Sequence, residues 1–147
     1  MLNQDYREML SLLLENRVDF LLVGAYALAV HGVPRATGDI DILVKPDSGN
    51  AGRLYKSLAD FGAPLGKVTA EDFSVPGTIL QIGVAPRRID IITKIDGLDF
   101  GEASEGKEIV PIDGLPVPVI SKMKLIINKQ ATGREKDRID ADVLKKL

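Results

Sequence analysis

The chain has 147 residues, 45% of them apolar and 27% charged, with a net charge of −2, no cysteine and a single histidine. That length suits one domain spanning residues 1–147, and the balance is that of a packed core rather than a disordered chain. Disulfides, thiolate sites and nitrogen–sulfur zinc sites are excluded, so any metal is a hard cation on oxygen ligands, such as Mg²⁺ or Mn²⁺.

The N-terminal MLNQDYREML has no basic-then-apolar leader layout, and no later stretch approaches the roughly 20 apolar residues of a membrane helix. A cytoplasmic protein without membrane contact is expected. Apolar residues at Tyr6, Met9, Leu10 and Leu13 predict a helix from Asp5 to Asn16. FLLV, from Phe20 to Val23, predicts a buried strand. Gly24 leads into an alanine-rich helix that Gly32 closes in the C′ position, with Pro34 beyond it. DIDILV, from Asp39 to Val44, is the clearest strand. Pro46-Asp47-Ser48 is a turn and cap, and Leu54, Tyr55, Leu58 and Phe61 share one face of a helix from Ala51 to Phe61. A loop punctuated by glycine and proline follows. TILQIGV and RRIDIIT then predict one hairpin, and KEIVPI and LPVPVI a second around Asp113-Gly114. Two helices, Ser121 to Ala131 and Glu135 to Leu147, finish the chain. Hairpins mixed with crossovers imply an α+β fold with α/β-like parts, a mixed sheet with helices mainly on one face.

The charge is unevenly spread. From Ser121 to Leu147, eight basic side chains face four acidic ones, so this segment carries +4 and the remainder −6. An acidic body beside a basic tail suits a protein that holds cations next to phosphates, although mixed charge on solvated helix faces accounts for many of these lysines.

Side chains alternate across a strand, so Asp39 and Asp41 share one face of DIDILV. Two adjacent carboxylates repel and lose hydration there, and a divalent cation relieves both penalties. The plainer alternative is a solvated strand end. Asp90 is a charged residue inside the apolar strand RRIDIIT. If that strand lies beside DIDILV, three carboxylates meet, which is the arrangement two-metal nucleotidyl transfer needs. The alternative for Asp90 is a salt bridge with Arg87 or Arg88. Gly24 and Ala25, between strand and helix, offer backbone N–H groups to an anion, and a side chain at Gly24 is expected to obstruct a phosphate far more than a metal. Arg35 and Thr37 stand just before the carboxylates, placed to clamp phosphate or to form an ordinary turn. His31, near a helix end, is expected to cap carbonyls.

The stretch VGAYALAVHGVPRATGDIDILV resembles the signature of the polymerase-beta-like nucleotidyltransferase superfamily, with Asp90 matching its third carboxylate. The run HGVPRAT, with the tail KLIINKQATGREKDRIDADVL, is more closely similar to the AbiEii-type nucleotidyltransferase-like toxin family and its small relatives. The resemblance reaches from Phe20 to Leu144. It implies the nucleotidyltransferase fold, a site for a nucleoside triphosphate, and two Mg²⁺ or Mn²⁺ ions on Asp39, Asp41 and Asp90. Catalysis by these three residues, with Asp90 helping to deprotonate the acceptor, and triphosphate or base contacts from Lys129, are implied likewise. Ala25 departs from the pattern, because a serine hydroxyl often stands there.

Three readings stay open at this point. One is transfer of a nucleoside monophosphate from a triphosphate to an acceptor, RNA or protein, with release of pyrophosphate. Another is a catalytically silent member of the same fold that binds nucleotide or regulates a partner protein, as in a toxin–antitoxin-like pair. The third, a sugar-nucleotide enzyme using D-x-D, usually needs a longer nucleotide-binding fold.

Overall fold

The computed structural model describes residues 2–35 and 38–147. In chain order these form α1 (Gln4–Glu15), β1 (Phe20–Val23), α2 (Gly24–Val30), β2 (Ile40–Val44), α3 (Ser48–Phe61), a 3-10 helix (Ala70–Ser74), β3 (Ile79–Ile82) and β4 (Ile89–Ile92). There follow α4 (Phe100–Ser104), β5 (Glu108–Ile112), β6 (Leu115–Val119), α5 (Lys122–Ala131) and α6 (Glu135–Lys145). The strands make one sheet in the order β3-β4-β2-β1-β6-β5. β2 runs antiparallel to β1 and parallel to β4, β1 runs parallel to β6, and the two expected hairpins, β3-β4 and β5-β6, occupy the edges. The α+β architecture with a mixed sheet is therefore as the sequence predicts. No helix among the described residues is long and apolar enough to cross a membrane.

Alternation sorts the central strands into two faces. Ile40, Ile42 and Val44 lie on one face with their register neighbours Phe20, Leu22, Ile89 and Ile91. All are buried, in one cluster with Tyr6, Met9, Leu10 and Leu13 of α1 and Leu54 and Leu58 of α3. The other face carries Val23, Asp41 and Asp90 at one end and the buried Leu21 and Leu43 further along. The apolar face supplies the core, and the second face holds its carboxylates at one end.

Polar ties lock the layers. Tyr6 is fully buried, and its hydroxyl donates to the Gly38 carbonyl, with the Arg88 carbonyl 3.2 Å away. Burial, then the neighbouring Tyr26 and Asp39, push its pKa up to about 12, so it stays a donor. This bond ties α1 to the segments that open β2 and β4. Asn50, also fully buried, accepts from the Asp19 N–H at 2.7 Å and donates to the carbonyls of Asp19 (3.0 Å) and Lys45 (2.9 Å). It thereby pins the start of α3 to the start of β1 and the end of β2. Asn50→Ala is expected to cost about 2–4 kcal/mol in chemical denaturation, because three backbone groups lose their partner away from water.

Two short helices were not expected. The 3-10 helix Ala70–Ser74 and α4 each begin with a reciprocal capping box, Thr69 with Asp72 and Asp99 with Glu102. With five residues each, they are too short to show an apolar period, so only the caps announce them.

Candidate functional site

β2 and β4 are in register with Asp41 opposite Asp90, so the two carboxylates stand side by side on neighbouring parallel strands. Asp39 precedes β2 and turns toward the same cleft. The cleft measures about 620 Å³ and is lined by Asp39, Asp41, Asp90, Gly24, Ala25, Arg35, Arg88 and Lys129 from the sequence-level candidates and their neighbours. Arg134, Lys136, Asp137 and Asp140 of the C-terminal hairpin close its far wall. Thr37 lies outside the described residues. His31 is not part of the cleft lining: its Nε2 meets the Ile120 carbonyl at 2.7 Å, tying the end of α2 to the end of β6.

The carboxylates are not equivalent. Arg88 reaches Asp90 with a two-pronged contact, Nε donating to Oδ1 at 2.7 Å and Nη2 to Oδ2 at 3.1 Å. The same Nη2 lies 3.4 Å from Asp39 Oδ2, and the Arg88 backbone N–H donates to Asp39 Oδ1 at 3.1 Å. Both alternatives weighed for Asp90 thus coexist, since it faces Asp41 and also pairs with Arg88. Among the described residues, no cation pairs with Asp41 in this way. Burial, then the charge of Asp90 and a hydrogen bond shared with it, push its pKa up to about 6, while Lys129 works in the opposite direction.

Among the described residues, no three acidic or histidine side chains close around one ion-sized position. The Arg88 guanidinium instead contacts two of the three, Asp39 and Asp90. In kind the donors suit a hard cation, being carboxylates alone. In charge they suit one too, because Asp41 is destabilised for want of a positive partner. Asp39, Asp41 and Asp90 are the cleft residues whose chemistry could hold Mg²⁺ or Mn²⁺, and Arg88 contacts two of them.

Gly24 has φ +66°, and a Cβ built there would lie 2.2 Å from Asp41 Oδ2. The glycine turn is therefore packed against a carboxylate, where the sequence suggested only phosphate access. The hairpin of α5 and α6 brings a second set of charges. Asp137 is 5% exposed and Asp140 1%. Lys129 Nζ lies 3.1 Å from Asp137 and 3.9 Å from Asp140, Arg134 Nε donates to Asp137 at 2.7 Å, and Arg35 pairs with Asp140. Burial alone would raise the Asp137 pKa, but hydrogen bonds from Thr132 and Lys129 and the charges of Lys129 and Arg134 bring it below the usual range. Lys129 is consequently no free surface lysine, and Arg35 is anchored to α6 at the cleft edge. Sequence reasoning placed this segment in the tail of the resemblance but named neither Asp137 nor Asp140 as a site residue. The signal was present: Asp137, Asp140, Ala141 and Leu144 form the buried face of α6, so two carboxylates sit on an otherwise apolar stripe.

No family model and no curated protein matches the chain. Solved structures do. A Thermotoga maritima protein designated a nucleotidyltransferase is 21% identical, with a TM-score of 0.61 over 99% of this chain and 94% of that one. A lincosamide antibiotic adenylyltransferase in its lincomycin-bound form is 16% identical, with a TM-score of 0.59 over 98% and 97%. The antibiotic-resistance factor ANT(2'')-Ia, in its solution structure, is 14% identical, with a TM-score of 0.58 over 95% and 80%. At these identities the likeness concerns the fold, and this chain has the nucleotidyltransferase fold.

Proposed function

We propose that this protein is a metal-dependent nucleotidyltransferase that moves a nucleoside monophosphate from a nucleoside triphosphate to an acceptor and releases pyrophosphate. The observation that carries this reading is the pairing of Asp41 with Asp90 in register, beside Asp39, at one end of a cleft whose opposite wall is cationic. Asp39, Asp41 and Asp90 would hold Mg²⁺ or Mn²⁺, two ions in the full arrangement. When bound, such ions lower the pKa of an attacking hydroxyl and offset charge on the leaving pyrophosphate. Arg35, Lys129, Arg134 and Lys136 supply positive charge to triphosphate oxygens, and the backbone of Gly24 and Ala25 borders the same space. Thr37 belongs to this proposal as a further hydrogen-bond donor to phosphate. The acceptor oxygen attacks the α-phosphorus, the bond to the β-phosphate oxygen breaks, and Asp90 receives the acceptor proton.

The acceptor is RNA, a protein or a small hydroxyl compound. The lincomycin-bound neighbour shows that this fold accommodates the last class in another protein. A second reading has its own support: Arg88 already neutralises Asp39 and Asp90, as a protein that binds nucleotide without turning it over would arrange. That version is a regulatory partner of another protein, as in a toxin–antitoxin-like pair.

Incubation with each isotopically labelled triphosphate and Mg²⁺ or Mn²⁺, in the presence of RNA and cell extract, tests both. Transfer gives a nucleoside-monophosphate mass increment on one component and stoichiometric pyrophosphate. Nucleotide binding by calorimetry without pyrophosphate release selects the silent reading.

A further inference from the structure

The ion-paired cations of the cleft fall into two groups by the company they keep. Arg35, Lys129 and Arg134 are held by Asp137 and Asp140, carboxylates of α6 that lie outside the proposed metal trio. Arg88 alone is held by the trio itself. It stands two residues before Asp90, on the same strand face, so its fork meets that carboxylate edge-on while its backbone and Nη2 engage Asp39. A guanidinium cannot leave such a site by losing its proton. Being only 29% exposed, it leaves most favourably by moving to another anion with comparable geometry. Phosphate oxygens offer that geometry, and the Arg88 side chain, 29% exposed, lines the cleft where a triphosphate would lie.

The overall charge of the cleft points the same way. Five carboxylates and five basic side chains line it, so it is close to neutral as a whole. A bare divalent cation gains little from such a cleft, because it must evict Arg88 and leave that charge without a partner. A cation arriving with a triphosphate leaves Arg88 with a new partner.

We infer that Arg88 couples metal binding to triphosphate binding: it holds Asp39 and Asp90 in the metal-free protein and transfers its fork to phosphate oxygens when cation and nucleotide bind together. This rests on the proposed reading of the trio as a metal–triphosphate site. The coupling is a positioning role, and it is reciprocal, since the nucleotide must tighten the metal by the factor by which the metal tightens the nucleotide.

The test is calorimetric titration of Mn²⁺ into the wild type, Arg88→Gln and Arg88→Lys, with and without a non-hydrolysable triphosphate analogue. Circular dichroism establishes that each variant is folded. In Arg88→Gln, Mn²⁺ alone is expected to bind about tenfold tighter than in the wild type, while the tightening induced by the analogue shrinks toward none. Arg88→Lys keeps the charge but not the fork, so its values should fall between the two. Unchanged or weaker Mn²⁺ binding by folded Arg88→Gln overturns the inference. If the wild type binds no Mn²⁺ even with the analogue, the nucleotidyl-transfer reading fails. In that event, Mn²⁺ binding by Arg88→Gln would still identify Arg88 as the occupant that bars the site, and its absence would overturn that role as well.

Discussion

Gly24→Ala is expected to destabilise the protein by about 2–4 kcal/mol and to remove the stabilisation conferred by Mn²⁺ with triphosphate, whereas Gly52→Ala should stabilise it by about 0.5–1 kcal/mol. Gly52 lies inside α3, where local propensity favours alanine, whereas Gly24 is the first residue of α2. Their surroundings differ. Gly52 is exposed on α3, and a methyl there meets nothing within 4 Å. Gly24 has φ +66°, where an L-residue costs about 1–2 kcal/mol. Its methyl would also lie 2.2 Å from Asp41 Oδ2 and 3.1 Å from Asp41 Cβ. Asp41 cannot yield freely, because it stands beside Asp90 and is pinned by the β2–β4 register. The methyl therefore disturbs a proposed metal ligand directly, and loss of metal response should accompany loss of stability. Thermal melts of the two variants, with and without Mn²⁺ and a triphosphate analogue, measure this. A Gly24→Ala protein that keeps the full Mn²⁺ shift would mean that Asp41 does not hold the ion.

Much of this arrangement was legible before the structure. Period-two alternation placed Asp39 and Asp41 together, and the turn residues Ala85-Pro86 and Asp113-Gly114 marked both hairpins. The structure then brings Asp90 beside Asp41 as the sequence reading required. What escaped prediction depends on contacts between distant segments. Period-two alternation puts Arg88, not Arg87, on the Asp90 face, but the bond from Arg88 to Asp39 joins residues 49 apart in the chain, which no local pattern reports. Arg87 is exposed and Arg88 half-buried, as that alternation implies. Likewise the second carboxylate pair, Asp137 and Asp140, has the spacing of an ordinary charged helix face. The stripe shared with Ala141 and Leu144 marks this face as buried, but only the packing of α6 against α5 shows that it meets Lys129.

Asp41→Asn is expected to make the metal-free protein more stable at pH 7.5 by about 1–3 kcal/mol, while abolishing its response to metal and lowering any transferase activity by at least about a hundredfold. Burial and the neighbouring Asp90 raise the folded pKa of Asp41 to about 6. In the unfolded chain the group titrates near its ordinary value of about 3.9. Between these two values the folded state holds a proton that the unfolded state has released, so stability falls as pH rises through that window. Above it, both states are ionised and the folded one carries the whole penalty, about 3 kcal/mol for a shift of roughly two units. Asparagine keeps the shape, removes the charge and can donate to the Asp90 carboxylate. Its advantage should therefore be largest at neutral pH and vanish near pH 4, in denaturation curves recorded with a chelator present. The pattern separates Asp41 from Asp90, whose two-pronged contact with Arg88 means that Asp90→Asn breaks an ion pair and should destabilise the protein. If Asp41→Asn instead destabilised the chelated protein at pH 7.5, Asp41 would have to be ion-paired as Asp90 is, and the trio would contain no carboxylate left for a cation to relieve.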